Sequence, residues 1–84
     1  MYKLKKVFKF KSIQQAELFA EVASLYGKNM IFGTDVIYEA VLDFPLWRKL
    51  INFADIIVCA PELSFYTLTE RAGLKAFKER AYSF

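Results

Sequence analysis

Cys59 is the only thiol in this chain, and no histidine accompanies it. Those two facts decide most of the chemistry that is open. A Ser-His-Asp or Cys-His constellation cannot be assembled within one copy, and the one side chain that titrates near neutrality without tuning is missing. A reactive thiol is left with one route. Cys59 closes the apolar run from Ile56 to Ala60 and is followed by Pro61 and Glu62. A helix opening at that point would hold a thiolate at its positive end. The competing role is the ordinary one for a lone cysteine, a small hydrophobe buried in a strand. A small thiol-dependent enzyme centred on Cys59 is therefore a weak candidate.

Metal and cofactor chemistry fares no better. Structural zinc takes four Cys or His ligands, and the chain holds one in all. Asp35, Asp43, Asp55 or Glu62 could offer oxygen ligands to Mg²⁺. Their spacing matches no calcium-binding loop, and aspartate is common at turns without any ligand. The glycines, Gly27, Gly33 and Gly73, stand far apart, so neither phosphate-cradling glycine pattern occurs. No cofactor and no metal is expected, and the chain is read as non-enzymatic.

Binding chemistry has more to work with. Lys3, Lys5, Lys6, Lys9 and Lys11 place five positive charges in the first eleven residues with no acid among them. The remainder carries seven basic and nine acidic residues, so a basic arm leads a slightly acidic body. Lys3, Lys5, Lys9 and Lys11 alternate with larger residues and fall on one side of an extended segment. They could neutralise phosphates in nucleic acid or meet an acidic partner. Lysines on an edge strand also discourage sheet-to-sheet aggregation. Tyr2, Phe8 and Phe10, the aromatics that could stack on bases, fall on the opposite side and read as core.

A second binding candidate is Phe44-Pro45-Leu46-Trp47-Arg48. Trp and Arg are over-represented among interface hot spots, and a Trp on a first helical turn can face outward while Leu46 and Leu50 face in. With the aromatic tail Tyr82 and Phe84, Trp47 and Arg48 form the expected interface.

The elements that must position these residues follow from period and punctuation. Tyr2 to Phe10 alternates and reads as a strand with one wet face. Ser12 and Gln15 make a capping box for a helix over 12–26, with Ile13, Ala16, Phe19, Ala20, Ala23 and Tyr26 at helical spacing and Gly27 as its stop. Residues 29–32 and 36–42 read as a hairpin about Gly33-Thr34-Asp35. The competing reading of 36–43 is a helix capped by Asp35. Pro45 fits the first turn of a helix over 45–54. Ile56 to Ala60 reads as a strand buried on both faces, and 62–80 as mostly helical with a break at Gly73.

The resulting order, β-α-β-β-α-β-α, predicts a single α+β domain over 1–84. Its architecture would be a two-layer sandwich with a ferredoxin-like or similar split βαβ. The alternative is a small parallel βαβαβα unit. The order is similar to that of the phosphocarrier proteins of sugar-uptake systems. That family's phosphate-accepting residue is a histidine, which this chain lacks, so the resemblance implies element order alone.

At 56% the apolar fraction exceeds the usual share of about 45–50%. A domain of 84 residues buries only roughly two-thirds of its unfolded surface. Some of its nine Phe and five Tyr are expected at the surface, where an apolar patch marks an interface. The longest apolar run is well short of the ~20 residues of a membrane span, the basic start lacks a signal-peptide core, and a single cysteine suits a reducing cytoplasm. The expectation is a cytoplasmic, non-catalytic interaction module that pairs with itself or with a protein partner. Nucleic-acid binding through the lysine strand is the first alternative.

Overall fold

The computed structural model describes residues 2–60 and 62–74. In chain order they form β1 (Tyr2–Lys9), α1 (Ile13–Ala23), β2 (Lys28–Phe32), β3 (Asp35–Leu42), α2 (Phe44–Cys59) and α3 (Phe65–Ala72). The result is a small α+β domain with a three-stranded antiparallel sheet of order β1-β3-β2 and three helices. Strand β3 takes the middle, pairing β1 from Tyr2↔Leu42 to Lys9↔Asp35 and β2 from Lys28↔Glu39 to Phe32↔Asp35. The parallel alternative needed 36–43 as helix. Residues 36–42 are strand instead, and both pairings are antiparallel.

The hairpin between β2 and β3 closes over Gly33 and Thr34. Gly33 sits at φ +61° with no atom within 4 Å of where a Cβ would stand. A left-handed glycine at the first of two loop residues suits the twist of antiparallel strands. The Thr34 carbonyl then accepts from the Phe10 amide at 3.0 Å, extending the sheet past the end of β1.

Each helix is capped by the residue before it. The Ser12 hydroxyl accepts from the Gln15 amide at 3.2 Å. The Gln15 side chain accepts from the Lys11 amide at 2.9 Å rather than from Ser12, so the box closes one residue earlier than expected. Asp43 accepts from the Leu46 amide at 2.9 Å, with Pro45 in the first turn of α2. Ser64 accepts from the Thr67 amide at 3.2 Å. Such caps stabilise a helix by about 1 kcal/mol each. At the other end of α3, Gly73 is left-handed and the Leu74 amide reaches back to the Thr69 carbonyl at 3.1 Å. That pairing is the Schellman closure a glycine permits.

Two expectations are corrected. Residues 56–59 are not a fourth strand; they are the last turn of α2. Trp47, Leu50, Ala54 and Ile57 recur at three- and four-residue spacing, all buried, so the helical stripe begun at Trp47 continues in phase through the apolar run and overrides its β propensity. The described residues therefore hold three of the strands a ferredoxin-like sheet requires. Helix α1 ends at Ala23 rather than at residue 26, and Gly27 has no left-handed backbone. A Cβ there would stand 2.5 Å from the Ala40 Cβ and 2.6 Å from the Glu39 carbonyl oxygen. Gly27 is needed because β3 passes too close for any side chain.

The core lies between the helices and one face of the sheet. Even-numbered residues of β1 and β3 (Phe8, Val36, Tyr38, Ala40, Leu42) meet Ala16, Phe19 and Ala20 from α1 and Leu50, Phe53 and Ile57 from α2. Its centre is aromatic. Phe19 lies 4.5 Å from Phe8 and 5.3 Å from Phe10, and Tyr38 stacks on Trp47 at 6.1 Å with rings 11° apart. Much of the aromatic excess is therefore core.

Candidate functional site

Register assembles the surface opposite the helices. Odd-numbered residues of β1 and β3 and even-numbered residues of β2 point away from the core, because side chains alternate along a strand. Directly opposed pairs then line up in rows across the sheet. Lys5, Glu39 and Lys28 form one row, Val7, Ile37 and Met30 the next, and Lys9, Asp35 and Phe32 the third, with Lys3 and Val41 paired at the far end. No helix among the described residues covers this face. Met30, Phe32 and Val41 are each more than half exposed, Val7 nearly so. The face is an apolar strip crossing the sheet between two charged rows.

The lysines alternate as the sequence predicts. Lys3, Lys5 and Lys9 lie on this outer face, and all are exposed. Lys3 reaches Glu39 across the strand at 3.7 Å, an exposed pair of the kind that contributes about 0–1 kcal/mol. Lys11 is exposed beyond the strand, at the entry to α1. Lys6 belongs by parity to the core side but is exposed, its ammonium 5.7 Å from the centre of the Phe8 ring.

The other expected site residues are dispersed. Trp47, expected on the outside of a first turn, is buried in the core, stacked on Tyr38 and 6.1 Å from Phe8. Its neighbour Arg48 is exposed and sits 5.8 Å over the Phe44 ring. Tyr82 and Phe84 lie outside the described residues. Cys59 is neither buried in a strand nor at a helix N-terminus. It is exposed at the C-terminal end of α2, away from the positive helix end that would hold a thiolate. Among the described residues no three Cys, Asp or Glu side chains gather as a metal site, and no helix is long and apolar enough to cross a membrane.

One concavity lies on α2, on the helix side, and another at the sheet. An open depression of about 420 Å³ runs along α2, lined by Arg48, Lys49, Ile51, Asn52 and Asp55. Four of those five residues are polar or charged, and the depression lies open to solvent rather than enclosing a ligand as small-molecule clefts do. A smaller one of about 200 Å³ lies beside Gly27, Lys28, Glu39, Ala40 and Val41, where β2 stops and β3 runs on.

The titrating groups that depart from ordinary values belong to the core. Burial pushes the Tyr38 phenol up to about 12, with the neighbouring Tyr26 adding to the shift. Tyr26 is raised as well, by burial.

Sequence reasoning missed Lys28, Met30, Phe32 and Val41 as members of the lysine face. The signal was available in the turn: a two-residue loop at Gly33-Thr34 fixes Phe32 opposite Asp35, and hence Met30 opposite Ile37. The fold is a small α+β domain with a three-stranded antiparallel sheet, one face of which no described helix covers. No protein-family model, curated protein or solved structure matches the chain.

Proposed function

We propose that this domain is a non-catalytic interaction module that associates with copies of itself through its sheet. The observation that carries the reading is the row Val7, Ile37 and Met30, with the exposed Phe32 beside Met30 on the same strand face and charged residues in the rows on both sides. An apolar strip rimmed by charge is the usual anatomy of a protein interface. The missing histidine and single cysteine support a binding role over a catalytic one. Of the interface residues expected from sequence, Arg48 is exposed on α2, on the helix side and outside this contact, and Trp47 lies in the core. The test is molar mass by light scattering from micromolar to near-millimolar protein. A mass rising to the dimer is expected, with Phe32→Lys shifting it towards monomer and Arg48→Ala leaving it unchanged. A monomer across the whole range defeats the reading.

A second reading has one observation in its favour. Lys3, Lys5, Lys9 and Lys28 share the outer face with an exposed aromatic, Phe32, and cation-plus-ring surfaces bind single-stranded nucleic acid. Glu39 and Asp35 interrupt the charge, so this reading ranks second. It requires oligonucleotide binding that falls steeply with salt and is lost when Lys5 and Lys9 are changed to Glu.

A further inference from the structure

We propose that the self-association occurs edge to edge. Strand β2 pairs antiparallel with β2 of a second copy about a two-fold axis through Met30, giving one continuous six-stranded sheet. The inference rests on the self-association proposed above and places its contact at the β2 edge rather than over the outer face, with Ile37 and then Val7 continuing the row away from the seam.

The two edges of the sheet are built differently. Edge strand β1 carries Lys3, Lys5, Lys6 and Lys9. Pairing it with its own copy about either middle residue, Lys5 or Lys6, sets that lysine against itself, which is destabilising. Lysine is also the usual guard of an exposed edge. Edge strand β2 reads Lys28-Asn29-Met30-Ile31-Phe32 and carries one lysine, at its end.

Exposure on β2 is two-sided. Met30 and Phe32 on the outer face are 58% and 56% exposed, and Ile31 on the helix face is 40% exposed. A partner laid on the outer face would cover Met30 and Phe32 and leave Ile31 wet. Only a partner at the edge reaches all three, and it would also take up the backbone groups that β3 leaves free. An edge strand with consecutive exposed apolar residues is a template for a further strand.

The symmetric register satisfies the charges as well. Centred on Met30, it uses all five residues of β2. It sets Lys28 opposite Phe32 of the second copy, and Asn29 opposite Ile31. No like charges meet across the seam. Glu39 already flanks Lys28, and Asp35 flanks Phe32, so charge alternates along the joined row. Just beyond the strand ends, Gly27 falls opposite Gly33 of the second copy, so no side chain obstructs either end. The apolar row becomes Val7-Ile37-Met30 continued by the same three residues in reverse.

The experiment places one cysteine on the axis. In a Cys59→Ser background, Met30→Cys is incubated with oxidised glutathione as the oxidant, beside Val7→Cys as a control on the same face but far from the seam. Opposed Cα atoms in an antiparallel pair lie about 4.5–5.5 Å apart, within disulfide range. A disulfide-linked dimer is expected for Met30→Cys and none for Val7→Cys. In parallel, Ile31→Lys and Phe32→Lys are compared by light scattering, with circular dichroism to confirm folding. Both should weaken dimerisation at least tenfold. A dimer that links through Val7→Cys, or that ignores Ile31→Lys, overturns the edge pairing while leaving self-association standing. A chain that is monomeric throughout overturns both.

Discussion

The Tyr38 hydroxyl donates to the Ala23 carbonyl at 2.9 Å, tying the middle of the central strand to the last residue of α1 in a place without solvent access. The same tyrosine stacks on Trp47 of α2, so one side chain joins the sheet to both helices. Tyr38→Phe keeps the ring contacts and removes only the hydrogen bond. The Ala23 carbonyl still accepts from the Tyr26 and Gly27 amides, so it is not orphaned. A loss of about 1 kcal/mol is expected, read as a shift in urea midpoint with an unchanged slope. A loss above about 3 kcal/mol would mean the hydroxyl does more than bridge these elements.

Alkaline stability follows from the same group. The folded-state pKa of Tyr38 is raised from 10.0 to about 12, so the folded chain holds its proton where the unfolded chain releases it. The stabilisation is fully present below pH 10 and is lost as pH rises through about 12, amounting to roughly 2–3 kcal/mol. Urea unfolding across that window should show stability falling with pH. Tyr38→Phe should flatten part of the fall, leaving the contribution of Tyr26, which is raised in the same direction. An unchanged pH profile in the variant would assign the loss elsewhere.

Gly27 and Gly33 separate two reasons for a glycine. Gly27→Ala drives a Cβ against the Ala40 side chain and the Glu39 backbone, and overpacking of this kind costs about 1–3 kcal/mol. Gly33→Ala meets open space but forces a left-handed alanine, about 1–2 kcal/mol. Gly33→Asn should recover part of that, because asparagine tolerates the conformation, whereas Gly27→Asn should be worse than Gly27→Ala. Thermal midpoints of the four variants check the ordering, and an equal response to Asn at both sites would contradict it.

The same two glycines show what a sequence can carry. Gly33 is legible because turn chemistry is local: Gly33-Thr34-Asp35 between apolar segments announces a turn, and the extended preference of Val36, Ile37, Tyr38 and Val41 supplies the strand after it. Gly27 was read as a helix stop, but its real constraint is the approach of Ala40, thirteen positions away, which no local pattern encodes. The lysine face was legible in part through the alternation of Lys3, Lys5 and Lys9. Its apolar strip was not, because Val7, Ile37 and Met30 become neighbours only once three strands are in register.

Composition alone points Trp47 outward, since Trp beside Arg48 resembles a hot spot. Its position places it inside: it lies on the helical stripe with Leu50, Ala54 and Ile57. Trp47→Ala should therefore cost about 3–5 kcal/mol through the cavity it leaves, a large part of the total stability of a domain this size. Arg48→Ala, on an exposed position, should stay within about 0.5 kcal/mol. Calorimetric melting of both variants distinguishes the assignments. A Trp47→Ala chain that melts like the parent would put the indole back at the surface.

The run Ile56 to Ala60 tests how an element without a period should be read. Continuous apolarity fits a strand buried on both faces, and in such a strand Ile57, Val58 and Cys59 would all be costly to change. In a helix only the residue in phase with the core is. Ile57 is buried at 1% exposure, whereas Cys59, two residues on, faces solvent. Ile57→Ala should then cost about 2–5 kcal/mol, and Cys59→Ser should be nearly neutral, within about 0.5 kcal/mol. Urea unfolding of the two variants gives the contrast directly. A costly Cys59→Ser would return this segment to the sheet and supply the fourth strand that a ferredoxin-like order requires.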